Sequence, residues 1–251
     1  MISLDKITKN GKAMFLAYDQ GLEHGPADFN EKNINPNYIL DIAVNGGFTA
    51  VILQKGVAEK YYTGSKYEEL IPLIIKLNGK TNLCKGEAYS PQVCGVDEAM
   101  DLGASAVGYT IYAGSQYEST MFQEFGRIVK DAHSHGAPAI TWVYPRGKDI
   151  KDDAAPDIIA YAARVALELG ADMAKIKYSG SKESFIWAVK AAGKMPVVLS
   201  GGPKTENEEE FLETVKNVMA AGGTGAAVGR NVWQHADPVA MSKKIAKIIF
   251  G

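Results

Sequence analysis

The sequence predicts an α/β protein that forms a single (β/α)8 TIM barrel over residues 1–251. Short apolar runs alternate about eight times with longer segments of helical periodicity, the pattern of parallel strands joined by crossover helices. A chain of 251 residues suits one such barrel or two small domains. The alternative is an open doubly wound sheet, which usually has fewer strands and a glycine-rich first turn. Here the first turn reads Asp-Gln-Gly-Leu-Glu-His, so the barrel is favoured.

Eight apolar runs predict the strands. Continuous apolar runs are typical of strands that are covered on both faces of a parallel sheet. Pro72 is expected only at the start of the third run, because proline cannot donate to a strand ladder. The segment from 78 to 90 predicts no regular element. The runs are 13–19, 50–54, 71–77, 104–110, 139–144, a short strand within 170–180, 196–200 and 225–229.

Helices are predicted between the strands from apolar stripes and end signals. Asn35 and Pro36 form an N-cap with proline at the first helical position, and Thr205 with Glu208 predicts a capping box. Seven helices are predicted. Four cover 96–102, 117–135, 156–169 and 238–249, one runs from after Asn35 to 45, one from the end of the sixth strand to 193, and one from after Thr205 to 222. The stripe of the helix over 156–169 is predicted to contain Ile158, Tyr161, Ala162, Val165 and Leu169.

Composition and charge exclude several classes of function. A net charge of -2 gives no global field that favours nucleic acid or an anionic membrane. Neither a basic-then-apolar leader nor an apolar run of spanning length is present, so we expect a cytoplasmic protein. Cys84 and Cys94 do not fit a zinc cluster or a disulfide framework, and both are expected to be reduced and structural. His133 and His135 are expected to stabilise a helix end, which leaves His24 for a site without metal.

The barrel fold predicts where the chemistry lies, because active sites of such barrels are built at the carboxyl ends of the strands. This rule alone selects candidates from five strands. They are Asp19, Gln20 and His24 after the first, Trp142, Tyr144 and Arg146 on one face of the fifth, Lys175 and Lys177 on the sixth, Ser200, Gly201 and Gly202 after the seventh, and Gly229 and Arg230 after the eighth.

The sixth strand carries Lys175 and Lys177 on one face. Burying an amine costs free energy, so we expect these lysines either to take part in a reaction or to reach solvent at the end of the strand. A lysine held near a second cation has a lowered pKa and attacks carbonyl groups. Asp19 and Tyr144 are candidates for proton transfer around such a lysine. Their structural alternatives are a loop cap for Asp19 and a buried aromatic for Tyr144.

The two glycine turns predict an anion site. Gly201, Gly202 and Gly229 let backbone N–H groups approach phosphate oxygens, and Arg230 adds a charged fork. Such sequences also occur in ordinary turns, but here they follow the strands where barrel enzymes often bind phosphate. Arg146 lies on the other side of the mouth, where it binds a second anion or forms a surface salt bridge.

Five segments carry a family resemblance: AYDQGLEHGP at 17–26, WVYPRG at 142–147, GADMAKIKYSG at 170–180, SGGPK at 200–204 and VGRNVWQ at 228–234. In this order, over nearly the whole chain, they resemble the archaeal-type class I fructose-1,6-bisphosphate aldolases, the DhnA family. Ser179 stands where threonine is common. The resemblance implies a metal-independent Schiff-base cleavage of fructose 1,6-bisphosphate to dihydroxyacetone phosphate and glyceraldehyde 3-phosphate in glycolysis and gluconeogenesis. It implies no cofactor, sugar phosphates as the binding partners and a homo-oligomer.

Matched motif by motif, the resemblance implies that Lys175 forms the Schiff base, Tyr144 donates a proton and Asp19 assists proton transfer. Lys177 then lowers the pKa of Lys175 or contacts substrate. The implied substrate contacts are Gln20, His24, Trp142, Arg146, Lys177, Ser200, Gly201, Gly202, Gly229 and Arg230. The alternatives are a related synthase or thiolase that acts on another phosphorylated ketose, and a sugar-phosphate-binding barrel without catalysis.

Overall fold

The computed structural model describes residues 2–251 and shows a closed barrel of eight parallel strands, which confirms the predicted fold. Neighbouring strands pair in chain order, and pairing of the first strand with the last closes the ring. The strands are β1 (Ala13–Ala17), β2 (Ala50–Gln54), β3 (Leu73–Lys76), β4 (Ala104–Ile111), β5 (Ala139–Val143), β6 (Met173–Ile176), β7 (Val197–Ser200) and β8 (Gly225–Val228).

Helices surround the barrel and join each strand to the next. Over residues 2–251 they are α1 (Gly21–His24), α2 (Pro36–Asn45), α3 (Lys55–Tyr61), α4 (Tyr67–Leu70), α5 (Val96–Asp101), α6 (Glu118–Ser134), α7 (Pro156–Glu168), α8 (Lys182–Ala191), α9 (Glu208–Ala220), α10 (Arg230–Trp233) and α11 (Pro238–Phe250). A short 3-10 turn, Gly25–Asp28, follows α1. Among these described helices none is long and apolar enough to cross a membrane.

The core has two layers because side chains alternate between the faces of each strand. One layer lies between the strands and the helices. The other fills the barrel interior, and its members are Ile7, Ala13, Phe15, Ala17, Ala50, Ile52, Ile74, Ala106, Ile140, Trp142, Met173, Val198 and Ala227. On β6 the alternation is as predicted, with Met173 inside and Ala174 and Ile176 outside. The interior layer leaves the carboxyl ends of the strands to the polar residues described below.

The predicted capping box at Thr205 is wrong. Helix α9 begins at Glu208, and the side chain of Asn207 accepts a hydrogen bond from the Glu209 N–H. The Thr205 hydroxyl instead donates to the Asn207 carbonyl oxygen at 2.9 Å. Asn207 has the extended backbone that an N-cap needs, so the asparagine displaces the threonine as the cap.

The predicted stripe of α7 is correct only in part, because Ala162 is buried and Ile158, Val165 and Leu169 are half-buried. The buried residues include Ile159, Ala163 and Ala166, whereas Tyr161 is 68% exposed. Small side chains on this face let α7 pack closely against α8 and the barrel. Tyr161 therefore lies on the outer surface of the helix.

The two cysteines lie in different environments. Both cysteines are free, with Cys94 buried and Cys84 exposed, so a structural packing role holds only for Cys94.

His133 and His135 lie at the end of α6 as expected. There they contact carboxylates, since His133 pairs with Asp172 at 2.8 Å and His135 with an aspartate of α5 at 2.7 Å.

Gly108 in β4 makes room for the Trp142 ring of β5. A Cβ atom at position 108 would lie 1.9 Å from the indole of Trp142. That indole is 1% exposed and belongs to the interior layer. The ring therefore lies across the backbone of the neighbouring strand, which only glycine permits.

We expect Gly108→Ala to destabilise the protein by about 1–3 kcal/mol, the usual cost of overpacking a well-packed core. Equilibrium unfolding in urea measures the change. The matched control is Gly126→Ala in α6, where a Cβ atom meets nothing within 4 Å. The control should gain about 0.5–1 kcal/mol from helix propensity. Equal effects of the two substitutions would show that the indole does not constrain position 108.

Candidate active site

A cavity of about 500 Å³ opens at the carboxyl ends of the strands. This volume lies within the range of small-molecule sites. The structure brings all the residues selected from the sequence to its wall, and they are Asp19, Gln20, His24, Trp142, Tyr144, Arg146, Lys175, Lys177, Ser200, Gly201, Gly202, Gly229 and Arg230.

Lys175 is the inward residue at the carboxyl end of β6. Its side chain is 5% exposed, and its amine lies 5.0 Å from the centre of the Trp142 ring. Burial lowers the pKa of Lys175, and the nearby Asp19 carboxylate partly opposes this effect. The neutral amine, which is the form that attacks a carbonyl carbon, is therefore easier to form here than in water.

Lys177 is in a different environment, although it also faces the cavity. Strand β6 ends at Ile176, so Lys177 already belongs to the following loop. Its amine forms an ion pair with Asp153, in the loop between β5 and α7. Burial and Asp19 are the influences on the pKa of Lys175. The expectation that Lys177 lowers this pKa is therefore wrong, and the two lysines are not equivalent.

The sequence reasoning missed Lys76, the last residue of β3. Its side chain is 9% exposed and lines the cavity, with its amine 3.5 Å from Asp19 Oδ2. Burial acts to raise the pKa of Asp19, but the ammonium groups of Lys175 and Lys76 and local hydrogen bonds outweigh it. The pKa of Asp19 is therefore below its ordinary value, and its carboxylate is ionised at neutral pH. The sequence did contain a signal for Lys76. It is a single lysine at the end of an apolar strand, two residues after Ile74, and therefore on the same inward face.

Tyr144 is a protonated phenol at neutral pH. Burial raises its pKa to about 12, and the hydrogen bond with Ser200, 3.0 Å from its oxygen, acts in the opposite direction. Asp19 and Tyr144 therefore differ in what they can do. The carboxylate accepts a proton and the phenol donates one.

Cations on both sides of the mouth have carboxylate partners. Arg146 lies 3.2 Å from Glu23 of α1. Arg230 lies 3.7 Å from Asp28 in the 3-10 turn, and His24 Nδ1 lies 2.5 Å from the same carboxylate. The segment from 21 to 28 thus contacts the cations of both sides. Arg146 forms the predicted alternative, a salt bridge, while it still faces the cavity.

Glycine is required in these two turns because the backbones of neighbouring strands approach closely there. A Cβ at Gly201 would lie 3.0 Å from Val228 Cα, and a Cβ at Gly229 would lie 2.7 Å from the Ala17 oxygen. Gly202 has a φ of +64°, which favours glycine. The Gly201 N–H donates to the Ala227 oxygen at 2.9 Å. This N–H is therefore already paired, contrary to its expected part in phosphate binding.

Asn231 holds the two turns together and was not selected from the sequence. Its amide donates to the Gly201 and Pro203 oxygens, both at 2.9 Å, and its own oxygen accepts from the Thr205 N–H at 2.9 Å. Asn231 is 4% exposed. The sequence signal for this connection was an asparagine directly after Gly-Arg.

Buried polar atoms without a partner point to a polar ligand. Within residues 2–251, such atoms in the cavity wall are Gln20 Nε2, Trp142 Nε1 and Thr110 Oγ1. Buried polar atoms are usually hydrogen-bonded, so a ligand that offers hydroxyl groups fits this wall. Thr110, the inward residue near the end of β4, was also missed. In the same described range, no three His, Cys, Asp or Glu side chains are arranged to hold a metal ion.

Comparisons with known proteins place the chain in a family of aldolases. The sequence matches the family described as DeoC/LacD family aldolase over residues 13–235. It is 54% identical to the fructose-bisphosphate aldolase class 1 of Thermoproteus tenax, over 97% of this chain and 91% of that protein. It is 36% identical to the fructose-bisphosphate aldolase/6-deoxy-5-ketofructose 1-phosphate synthase of Methanocaldococcus jannaschii, over 98% and 83% of the two chains.

A solved structure shows the same architecture. It is an archaeal fructose-1,6-bisphosphate aldolase whose catalytic lysine is covalently bound to the carbinolamine intermediate of the substrate. The two structures superpose with a TM-score of 0.94 at 52% sequence identity, over 99% of this chain and 98% of the other. The likeness therefore extends over the whole barrel and not only over the cavity.

We expect Lys175→Met to make the protein more stable at neutral pH by about 0.5–2 kcal/mol, the range usual for a single stabilising substitution. The folded pKa of Lys175 is lowered, so the group destabilises the fold as the pH falls below its ordinary value of 10.5. The gain should therefore shrink when urea unfolding is repeated near that alkaline value. Lys177→Met is the control and should change stability little. A Lys175→Met protein that is no more stable than the wild type would contradict this account.

Proposed function

Because the chain belongs to the DeoC/LacD family of aldolases, we propose that it is a class I fructose-bisphosphate aldolase. The reaction is the reversible cleavage of fructose 1,6-bisphosphate to dihydroxyacetone phosphate and glyceraldehyde 3-phosphate through a Schiff base. The observation that carries the proposal is Lys175, a buried amine with a lowered pKa at the centre of the cavity. The lysine-bound intermediate in the related archaeal structure supports it.

Lys175 acts as the nucleophile. Its neutral amine adds to the C2 carbonyl of the open-chain substrate, and loss of water from the carbinolamine gives an iminium ion. The iminium ion is the electron sink for the next step. When the C3–C4 bond breaks, its electrons move to the iminium group and form an enamine, and glyceraldehyde 3-phosphate leaves.

Asp19 and Tyr144 divide the proton transfers. Asp19 is the ionised group and takes the proton from the C4 hydroxyl as the C3–C4 bond breaks. Tyr144 is the protonated group and donates a proton to C3 of the enamine. The Ser200 hydroxyl, 3.0 Å away, hydrogen-bonds the phenolate that remains. Water then hydrolyses the iminium ion and releases dihydroxyacetone phosphate.

The mouth of the cavity positions the substrate. A bisphosphate carries anions at both ends, and cations line the cavity on both sides, with Arg230 beside the glycine turns and Arg146 with Lys177 opposite. Holding both ends places the carbonyl at the amine, which is a large contribution to catalysis. The phosphates compete with Glu23, Asp28 and Asp153 for these cations. Gln20, Thr110 and Trp142 provide hydrogen-bonding atoms for the sugar hydroxyls.

We further propose the setting that the family resemblance implies: glycolysis and gluconeogenesis, in the cytoplasm, as a homo-oligomer. A second candidate function is the ketose phosphate synthesis that the Methanocaldococcus jannaschii relative also carries in its name. The more similar relative from Thermoproteus tenax is named only as the aldolase. We therefore favour cleavage of fructose 1,6-bisphosphate. A coupled assay with that substrate tests the cleavage, because a protein that acts only as a synthase would show little turnover.

The test of the Schiff base is reduction by borohydride in the presence of dihydroxyacetone phosphate. The peptide that contains Lys175 should gain the mass of the reduced adduct, and EDTA should leave turnover unchanged. Lys175→Met should lose both the adduct and turnover. If the wild-type peptide gains no mass, or if EDTA abolishes turnover, the proposed mechanism is wrong.

Lys177→Met separates the roles of the two lysines. Because Lys177 lies beyond β6 and faces Asp153, its loss should raise KM for fructose 1,6-bisphosphate by about tenfold, the effect of about 1.4 kcal/mol of lost binding. The borohydride adduct on Lys175 should persist. Steady-state kinetics and peptide mass spectrometry measure the two effects. An adduct on Lys177 instead of Lys175 would reverse the assignment.

A further inference from the structure

Asp19 lies in a buried cluster with two lysines from different strands. The amine of Lys76 is 3.5 Å from Asp19 Oδ2, and both of these side chains are 9% exposed. Lys76 and Lys175 lie 5.7 and 5.0 Å from the centre of the same ring, that of Trp142. The cluster thus holds one carboxylate, two amines and an indole, and it contains one cation more than the Schiff-base chemistry uses.

The proposed reaction needs Asp19 ionised and Lys175 neutral at the same time. Two opposite groups close together in a buried site do not favour that combination. Their attraction favours the state in which both are charged, and burial favours the state in which both are neutral. In each of these states the pair holds one proton more than the reactive state. A cluster of Asp19 and Lys175 alone would therefore keep that proton.

We propose that Lys76 is a positioning residue that balances the charge of Asp19 so that Lys175 can release its proton. The proposal rests on the aldolase function proposed above. With Lys76 as an ammonium ion, the reactive state has one anion, one cation and one neutral amine. Without Lys76, the same state is a buried carboxylate without a counter-ion, which is unfavourable. Lys76 acts through Asp19 and needs no contact with the reacting carbon atoms.

The other charged and titratable groups around the cluster do not replace Lys76. Those that act on Asp19, or on the tyrosines beside it, are Lys175 on β6, Tyr144 after β5, Tyr112 after β4, Arg146 after β5 and Glu23 on α1. The tyrosines are neutral, and burial raises the pKa of each. Arg146 is paired with Glu23. Lys76 is the cation in direct contact with the Asp19 carboxylate.

The experiment compares the pH dependence of kcat/KM for cleavage of fructose 1,6-bisphosphate in wild type, Lys76→Met and Lys76→Arg. Removing the positive charge should move the acid limb of the profile to higher pH by about one unit or more, the usual effect of an opposite charge at this distance. Lys76→Arg keeps the charge and should restore most of the wild-type profile. At a pH well above the shifted limb, Lys76→Met should recover most of its activity.

The Asp19→Asn background shows whether the effect passes through Asp19. In that background the residual activity should have the same acid limb with and without Lys76, because no carboxylate remains to be balanced. Equal losses at every pH, or an equal shift in both backgrounds, would overturn the proposal and make Lys76 a substrate contact or a packing residue. Lys76→Gln is measured in parallel in case the methionine variant does not fold. Wild-type enzyme that forms no borohydride adduct would instead overturn the aldolase function, and this proposal with it.

Discussion

The pairing register of the eight strands decides which side chains meet in the cavity. Each strand alternates inward and outward residues, and closure of the ring by β1 and β8 brings the inward ends of all strands to one mouth. Asp19, Lys76, Thr110, Tyr144, Lys175 and Ser200 continue the inward series of their strands. A shift of one residue in any pair would send these polar groups into the layer between strands and helices. The chemistry therefore depends on backbone pairing more than on any single side-chain contact.

Packing below the cavity gives the site its shape. Small interior residues such as Ala17 and Ala227 leave space under the polar groups, while Trp142 fills the space above Gly108. Its indole lies beside both Lys76 and Lys175. The apolar wall also excludes water from the two amines, and this desolvation is the main cause of the lowered pKa of Lys175. The interior thus sets the reactivity of the lysine as well as its position.

Much of the architecture could be predicted from the sequence because eight apolar runs alternate with recognisable helix ends. The predicted site residues also reach one cavity, since the barrel itself assigns catalytic loops to one end. Lys76 and Thr110 were missed because each ends an apolar strand without a loop motif. The environment of Lys177 was misjudged, because its partner Asp153 lies in a loop that no local pattern relates to it. The Thr205 cap was wrong because Asn207, two residues later, is an equally good cap, and in the α7 stripe only Tyr161 lies fully on the exposed face.

The carboxylates of the segment from 21 to 28 affect how anions bind at the mouth of the cavity. Glu23 and Asp28 stand beside Arg146 and Arg230 in the place where free anions would otherwise collect. They are counter-ions that are covalently tethered to the protein. When a phosphate group enters, it exchanges with these tethered carboxylates and releases fewer ions to the solvent than bare arginines would. Substrate binding then depends less steeply on salt concentration than the number of cations implies. The same carboxylates can displace the phosphates of the products as they leave.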